Sequence, residues 1–227
     1  MDRVRVLGVD ACKAGWVGIA LDDARAYVAA TIDELVARAE ADGRVEVVGI
    51  DIPIGLPDST RRQADVLARQ AVGRLRSSVF VVPVRAALEA RDHATASAIN
   101  RERVGEGVSI QAYGLRSKLL QVDAWVRETG RHVVEVHPEV TFAELARAPL
   151  TVGKHTWAGT ELRRGLLARA GIALSDLGDA GRRAGVDDVL DAAAVAWSAR
   201  RVALGTAITR PEPPEVFGDG VACAVWT

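Results

Sequence analysis

Two short stretches of the chain repeat one pattern that could do chemistry. Val4-x-Val6-x-Gly8-Val9-Asp10 and Val45-x-Val47-x-Gly49-Ile50-Asp51 both run V-x-V-x-G-(V/I)-D, and each apolar run ends on an aspartate. If the two are neighbouring parallel strands, Asp10 and Asp51 meet at one edge of a sheet. Carboxylates forced together repel, and a divalent cation or a shared proton relieves the repulsion. Hard ions such as Mg²⁺ take oxygen ligands of this kind, commonly one or two carboxylates completed by substrate phosphate. The plainer alternative is that each aspartate caps its own loop.

Further acids lie downstream. In Asp187-Asp188-Val189-Leu190-Asp191-Ala192, Asp188 and Asp191 are three apart and share a helix face. Asp187 and Asp188 suit a helix N-terminus, where the dipole favours negative charge. Asp191 lies deeper, where aspartate carries a helix-propensity cost, and the alanines after it would let that helix sit close against a sheet. Glu135, in Val133-Val134-Glu135-Val136-His137-Pro138-Glu139, interrupts an apolar strand and either faces water or serves a site, with Glu139 just beyond it. His137 lacks a partner His or Cys at metal spacing and reads as structural before it reads as a ligand. Cys12 and Cys223 stand alone, so there is no zinc pattern. Ser77, Ser78 and Ser109 lack a G-x-S-x-G elbow, and the chain has neither a P-loop nor a G-x-G-x-x-G after a strand. Cys12 reads as a small loop residue. Trp16, Trp125, Trp157, Trp197 and Trp226 read as core, with base stacking on Trp16 or Trp157 the alternative.

The elements that must hold these residues can be read in outline. Residues 4–10, 16–21 and 26–30 predict an antiparallel meander, with a turn over 11–15. Thr31-Ile32-Asp33-Glu34 is a capping signature for a helix that closes at Gly43. Residues 45–51 predict a buried parallel strand, after which Pro53, Gly55 and Pro57 break regular structure. Helices follow over about 61–72, 84–103 and 110–128. A strand over 131–138 is ended by its proline, and short helices cover about 142–146 and 160–170. The last long helix spans about 186–204, and 216–226 predicts a terminal hairpin around Gly218-Asp219-Gly220. The economical reading is one α/β domain over 1–227 with a helical, basic insertion at about 58–130.

Composition sets outer bounds. The chain has 227 residues, 49% of them hydrophobic and 26% charged, a globular composition that excludes disorder and collagen-like or coiled-coil architectures. Two cysteines cannot form a disulfide framework, so a cytoplasmic protein with free thiols is expected. The N-terminal Met1 to Val6 lacks the apolar core of a signal peptide, and no run of 18 apolar residues spans a membrane. Oligomeric state is left open.

Taken together, Gly8-Val9-Asp10-Ala11-Cys12-Lys13-Ala14-Gly15-Trp16, Ile50-Asp51-Ile52-Pro53-Ile54-Gly55-Leu56-Pro57, Arg76-Ser77-Ser78-Val79-Phe80 with Pro83 and Arg85, Glu135-Val136-His137-Pro138-Glu139 and Asp187-Asp188-Val189-Leu190-Asp191-Ala192 resemble the DUF429 family. That family is described as predicted nucleases of the RNase H-like fold, and the motifs run in its order over essentially the whole chain. Ala11 stands where a glycine is common in the family. The resemblance implies a mixed sheet, with an antiparallel meander first and parallel strands after it, flanked by helices. It implies metal-dependent hydrolysis of nucleic-acid phosphodiester bonds in a two-metal site using Mg²⁺ or Mn²⁺. Asp10, Asp51, Asp188 and Asp191 would hold the ions, and Asp188 or Glu135 would complete the shell or position water. Arg74, Arg76, Arg85, Lys118 and Lys154 are candidates for contacts to the phosphates of DNA or RNA, against the simpler reading of solvated surface or internal ion pairs. Two other classes remain: a non-catalytic nucleic-acid or nucleotide-binding module on the same fold, and an actin-like or sugar-kinase-type phosphotransferase. The phosphotransferases need two such domains and a glycine where Ala11 stands.

The formal net charge of −1 is an average over unlike regions. Between Thr60 and Lys118 eleven basic residues face five acids, a surplus of six, which leaves −7 for the remainder. The remainder holds every proposed metal ligand. With 26 arginines and three lysines, the chain has an arginine habit that weakens any single arginine as a signal. Even so, a basic insertion beside an acidic site suits a phosphodiester substrate.

Overall fold

The computed structural model describes residues 4–227. Its first three residues, on which part of the N-terminal reading falls, lie outside the described residues. The meander forms as the alternation predicts: β1 (Val6–Cys12), β2 (Gly15–Ala20) and β3 (Arg25–Ala29) pair antiparallel. β1 runs on through Ala11 and Cys12, because its hairpin partner β2 extends past the point where the parallel neighbour stops. Asp10 therefore lies inside the strand, opposite Val17. Helix α1 (Ile32–Glu40) starts where the capping signature places it, with the Thr31 hydroxyl accepting from the Glu34 amide at 3.2 Å.

β4 (Val47–Ile50) pairs parallel with β1 in the register Gly8↔Gly49 and Val9↔Ile50. After β4 come α2 (Gln63–Ala71), a 3₁₀ turn at Gly73–Ser78, α3 (Arg85–Leu88), α4 (His93–Val104), α5 (Ile110–Gly114) and α6 (Arg116–Glu128). Two of the expected helices are each split in two. Asp92, in extended backbone, accepts from the Thr95 amide at 2.8 Å and restarts the chain as α4. Likewise Ser109 caps the short α5, which ends at Gly114 before α6 begins.

β5 (Val133–Glu135) adds parallel to β4, and α7 (Pro138–Ala146) begins with proline at its first position, where the missing N–H costs nothing. Helices α8 (Trp157–Arg169), α9 (Ala180–Arg183) and α10 (Val186–Ala203) precede the closing strands. The terminal hairpin is longer than expected. β6 (Thr209–Val216) and β7 (Ala222–Trp226) pair antiparallel around the Gly218–Gly220 turn. Pro211, Pro213 and Pro214 hide β6 from a strand reading, and it is tolerated because it lies at the sheet edge.

The seven strands run in the order β3-β2-β1-β4-β5-β7-β6. An antiparallel start followed by parallel strands, flanked by helices, is consistent with an RNase H-like arrangement. On one face Leu7, Val9, Val48 and Ile50 pack with Leu35 of α1 and Leu119 and Val122 of α6. On the other, Val6, Val47 and Val134 pack with Val195 and Ala199 of α10. Strand alternation thus sends Gly8 and Asp10 toward α10. A Cβ at Gly8 would stand 2.0 Å from the Ala196 amide nitrogen, and one at Gly49 would stand 2.9 Å from the Val195 side chain. The two glycines of the repeated pattern are the places where α10 touches the sheet. Among the tryptophans, Trp16 is fully buried, whereas Trp157 is 81% exposed rather than core.

Candidate metal centre

Asp10 lies two residues past Gly8, and Asp51 two past Gly49. Asp191 lies one residue before Ala192, whose carbonyl approaches Gly8. Close packing of α10 at the glycines therefore brings its early turns over the two strand aspartates. Carboxylate oxygens of Asp10, Asp51 and Asp191 all fall within 4.8 Å of one another. Asp10 is 7% and Asp191 2% exposed, and Asp51 is partly buried. The Asp51 amide donates to the Val9 carbonyl at 2.9 Å, continuing the ladder past β4.

The electrostatics follow from that crowding. Burial, and then the neighbouring Asp51 and Asp191 charges, hold Asp10 well above the usual carboxylate range. Burial and Asp191 do the same to Asp51. Burial pushes Asp191 up to about 6 against the opposing pull of Lys154. The Lys154 ammonium donates to Asp191 Oδ2 at 2.5 Å, and Asp187 lies 3.9 Å from the same nitrogen. Burial works against the Lys154 charge, but the Asp191 carboxylate overrides it and raises the lysine. Asp191 Oδ1 is buried and has no hydrogen-bond partner. An unpartnered buried carboxylate oxygen, on a residue clustered with two further carboxylates, fits a hard divalent cation. The triad can hold such an ion.

The acids line a cleft of about 500 Å³, together with Ser77, Ser78, Phe80, Glu135, His137, Glu139, Lys154, His155 and Asp188. Asp188 accepts from the Gly185 amide at 3.1 Å and helps cap α10, outside the close triad. Glu135 is committed elsewhere. It accepts from the Ile54 amide at 2.7 Å and forms a close ion pair with Arg62, which also meets Asp65 at 3.1 Å. Burial, opposed by Arg62, sets the Glu135 carboxyl at about 7. Its grip on Ile54 fixes the loop that follows Asp51. Glu139 takes both Nη2 contacts of Arg163, at 2.6 and 2.7 Å. His137 lines the cleft as a neutral imidazole, pushed down to about 4 by burial.

Of the five candidate phosphate-contacting cations, Lys154 lines this cleft. Arg74 and Arg76 are exposed on the 3₁₀ turn, and Arg76 borders a separate depression with Arg69. Arg85 is clamped by Asp123 at 2.7 Å and Asp219 at 2.8 Å. Lys118 lies over the Trp16 ring at 4.2 Å and donates to the Gly15 carbonyl at 2.6 Å. Part of the basic surplus of the insertion is thus spent inside the protein, on Arg62 and Arg85.

The family model described as "Protein of unknown function (DUF429)" matches residues 8–216, a span that runs from Gly8 to the end of β6 and takes in every acid of the cleft. The chain belongs to the DUF429 family. Neither a curated protein nor a solved structure gives a match. Two residues of this DUF429 chain's site, Arg62 and Arg163, went unread in the sequence. Nothing local distinguishes either from the chain's other arginines, and only the fold shows that they neutralise Glu135 and Glu139. Among the described residues no helix is long and apolar enough to cross a membrane.

Proposed function

We propose that this protein is a divalent-metal-dependent nuclease, hydrolysing phosphodiester bonds of nucleic acid at the Asp10–Asp51–Asp191 centre. The observation that carries the reading is the convergence of three carboxylates within 4.8 Å, one of them with a buried, unpartnered oxygen. The donor set is all oxygen, which suits Mg²⁺ or Mn²⁺ rather than a softer ion. A bound ion of this kind activates water at neutral pH and stabilises charge on a phosphoryl oxygen. The chain's own residues supply the rest. Asp10, Asp51 and Asp191 hold the ion, with Asp188 on the cleft wall available to orient water or a further ion. Glu135 anchors the Ile54 amide and so fixes the Asp51 loop. Lys154 brings a positive charge to the cleft that a phosphate would enter, and Ser77 and Ser78 line the same cleft.

The test is cleavage by purified protein of single- and double-stranded DNA, RNA, hybrids and branched junctions in Mg²⁺ or Mn²⁺. Asp10→Asn and Asp191→Asn serve as controls and are expected to lose at least ~100-fold in rate, the scale of removing one group that stabilises transition-state charge. Equal cleavage by wild type and variants would mark a contaminant and end the nuclease reading. Nucleic-acid binding without cleavage in any condition would favour a non-catalytic module on the same fold.

A further inference from the structure

The centre is not simply acidic, because it carries a cation of its own. Three carboxylates and the Lys154 ammonium leave two negative charges, which one divalent ion balances. The surrounding charges are only partly paired, since Arg163 closes on Glu139 but the single Arg62 meets both Glu135 and Asp65. The two oxygens of Asp191 are also in different situations. Oδ2 is taken by Lys154 at 2.5 Å, and Oδ1 is buried with no hydrogen-bond partner.

We propose that the centre holds a single divalent cation in the absence of substrate, and that Lys154 takes the place of a second one. This deepens, and rests on, the metal-dependent reading above. Lys154 then has two roles. Before substrate arrives it neutralises the Asp191 oxygen that would otherwise draw in another ion. When a phosphodiester enters, the same ammonium lies on the cleft wall and meets a phosphate oxygen, as a compact point charge. Its position is set by the chain: the Lys154 carbonyl accepts from the Thr160 hydroxyl at 3.0 Å, which ties the loop before α8 to the helix.

The experiment counts bound ions on the full chain with no nucleic acid present. Mn²⁺ is titrated at pH 7.5, with free ion followed by electron paramagnetic resonance and heat by calorimetry, for wild type, Lys154→Arg and Lys154→Gln. Wild type and Lys154→Arg are expected to bind one Mn²⁺ per chain. Lys154→Gln, having lost the resident positive charge, is expected to bind two, the second within ~10-fold of the first in Kd. Two ions bound by wild type would overturn the proposal and leave the metal reading standing. So would a Lys154→Gln variant that stays at one ion with unchanged Kd. No Mn²⁺ bound by any of the three would overturn the metal reading itself. Thermal melts confirm that each variant folds, and the wild-type count decides the matter if Lys154→Gln does not.

Discussion

Two groups of buried acids share one cleft and differ in a single respect. Glu135 and Glu139 each close on an arginine, Arg62 and Arg163, both of which are fully or almost fully buried. Asp10, Asp51 and Asp191 face one another with only Lys154 among them. In the first group the chain answers its own charges, and the acids act as struts that hold loops and helices. In the second it leaves them unanswered. The imbalance, rather than burial or acidity, marks where an ion belongs. A buried carboxylate in this protein reads as structural when an arginine reaches it and as a ligand when none does.

The sharpest way to break that comparison is to unbalance the closed group. Arg163→Met keeps length and apolar volume but strands Glu139 as an uncompensated charge 6% exposed. Removing one partner of a buried pair costs about 3–5 kcal/mol, so urea unfolding of Arg163→Met should show a loss of that size. Mn²⁺ affinity of whatever variant remains folded should stay within ~10-fold of wild type. A loss under ~1 kcal/mol would mean that Glu139 is not a strut, and the distinction between the groups would fail.

How far each group could be read from sequence follows from the same contrast. Asp10 and Asp51 were legible because one seven-residue frame carries both the aspartate and the glycine that α10 needs for its approach. Asp191 was legible because an aspartate within a helix, ahead of an alanine run, asks for a reason. The meander, the parallel β4 and α10 followed from alternation and capping. The struts were not legible as struts. Arg62 lies 73 residues from Glu135 and Arg163 lies 24 from Glu139, and any of 26 arginines could have filled either place. β6 escaped notice for a physical reason too, since its prolines are acceptable only at an edge that sequence does not announce.

A metal-dependent melt probes the open group by itself. Asp191 titrates at about 6 in the folded protein, and burial and like charge raise Asp10 and Asp51 as well. Unfolded aspartates titrate near ~3.9. The folded cluster therefore holds protons more tightly than the unfolded chain. The Asp191 contribution to stability is fully present below about pH 4 and is lost as pH rises through about 6, and Asp10 and Asp51 act in the same direction. At pH 7.5 the metal-free protein carries that penalty, and an ion removes it. Mn²⁺ at a hundred times its Kd stabilises by about 2.7 kcal/mol, or about 5–10 °C in Tm for a chain of this size. At pH 5 protons compete for the same oxygens, and the rise should fall to less than half. An equal rise at both pH values would place the ion somewhere other than these three carboxylates.

The smallest expected effect is the most discriminating, because its sign is opposite to that of Arg163→Met. Asp51→Asn removes one of three like charges and leaves every arginine pair intact. In metal-free protein at pH 7.5 it should raise stability modestly, because burial and the Asp191 charge disfavour the ionised Asp51 carboxylate. At pH 5, where protons neutralise more of the wild-type cluster, the gain should shrink. With saturating Mn²⁺ the order reverses, since the variant has lost a ligand and the wild type regains its stabilisation. Urea titrations at the two pH values, with and without the ion, read all four cases. If Asp51→Asn destabilises the metal-free protein as a strut mutation would, the Asp10–Asp51–Asp191 group is already balanced within the chain. In that case the imbalance that separates it from Glu135 and Glu139 does not exist.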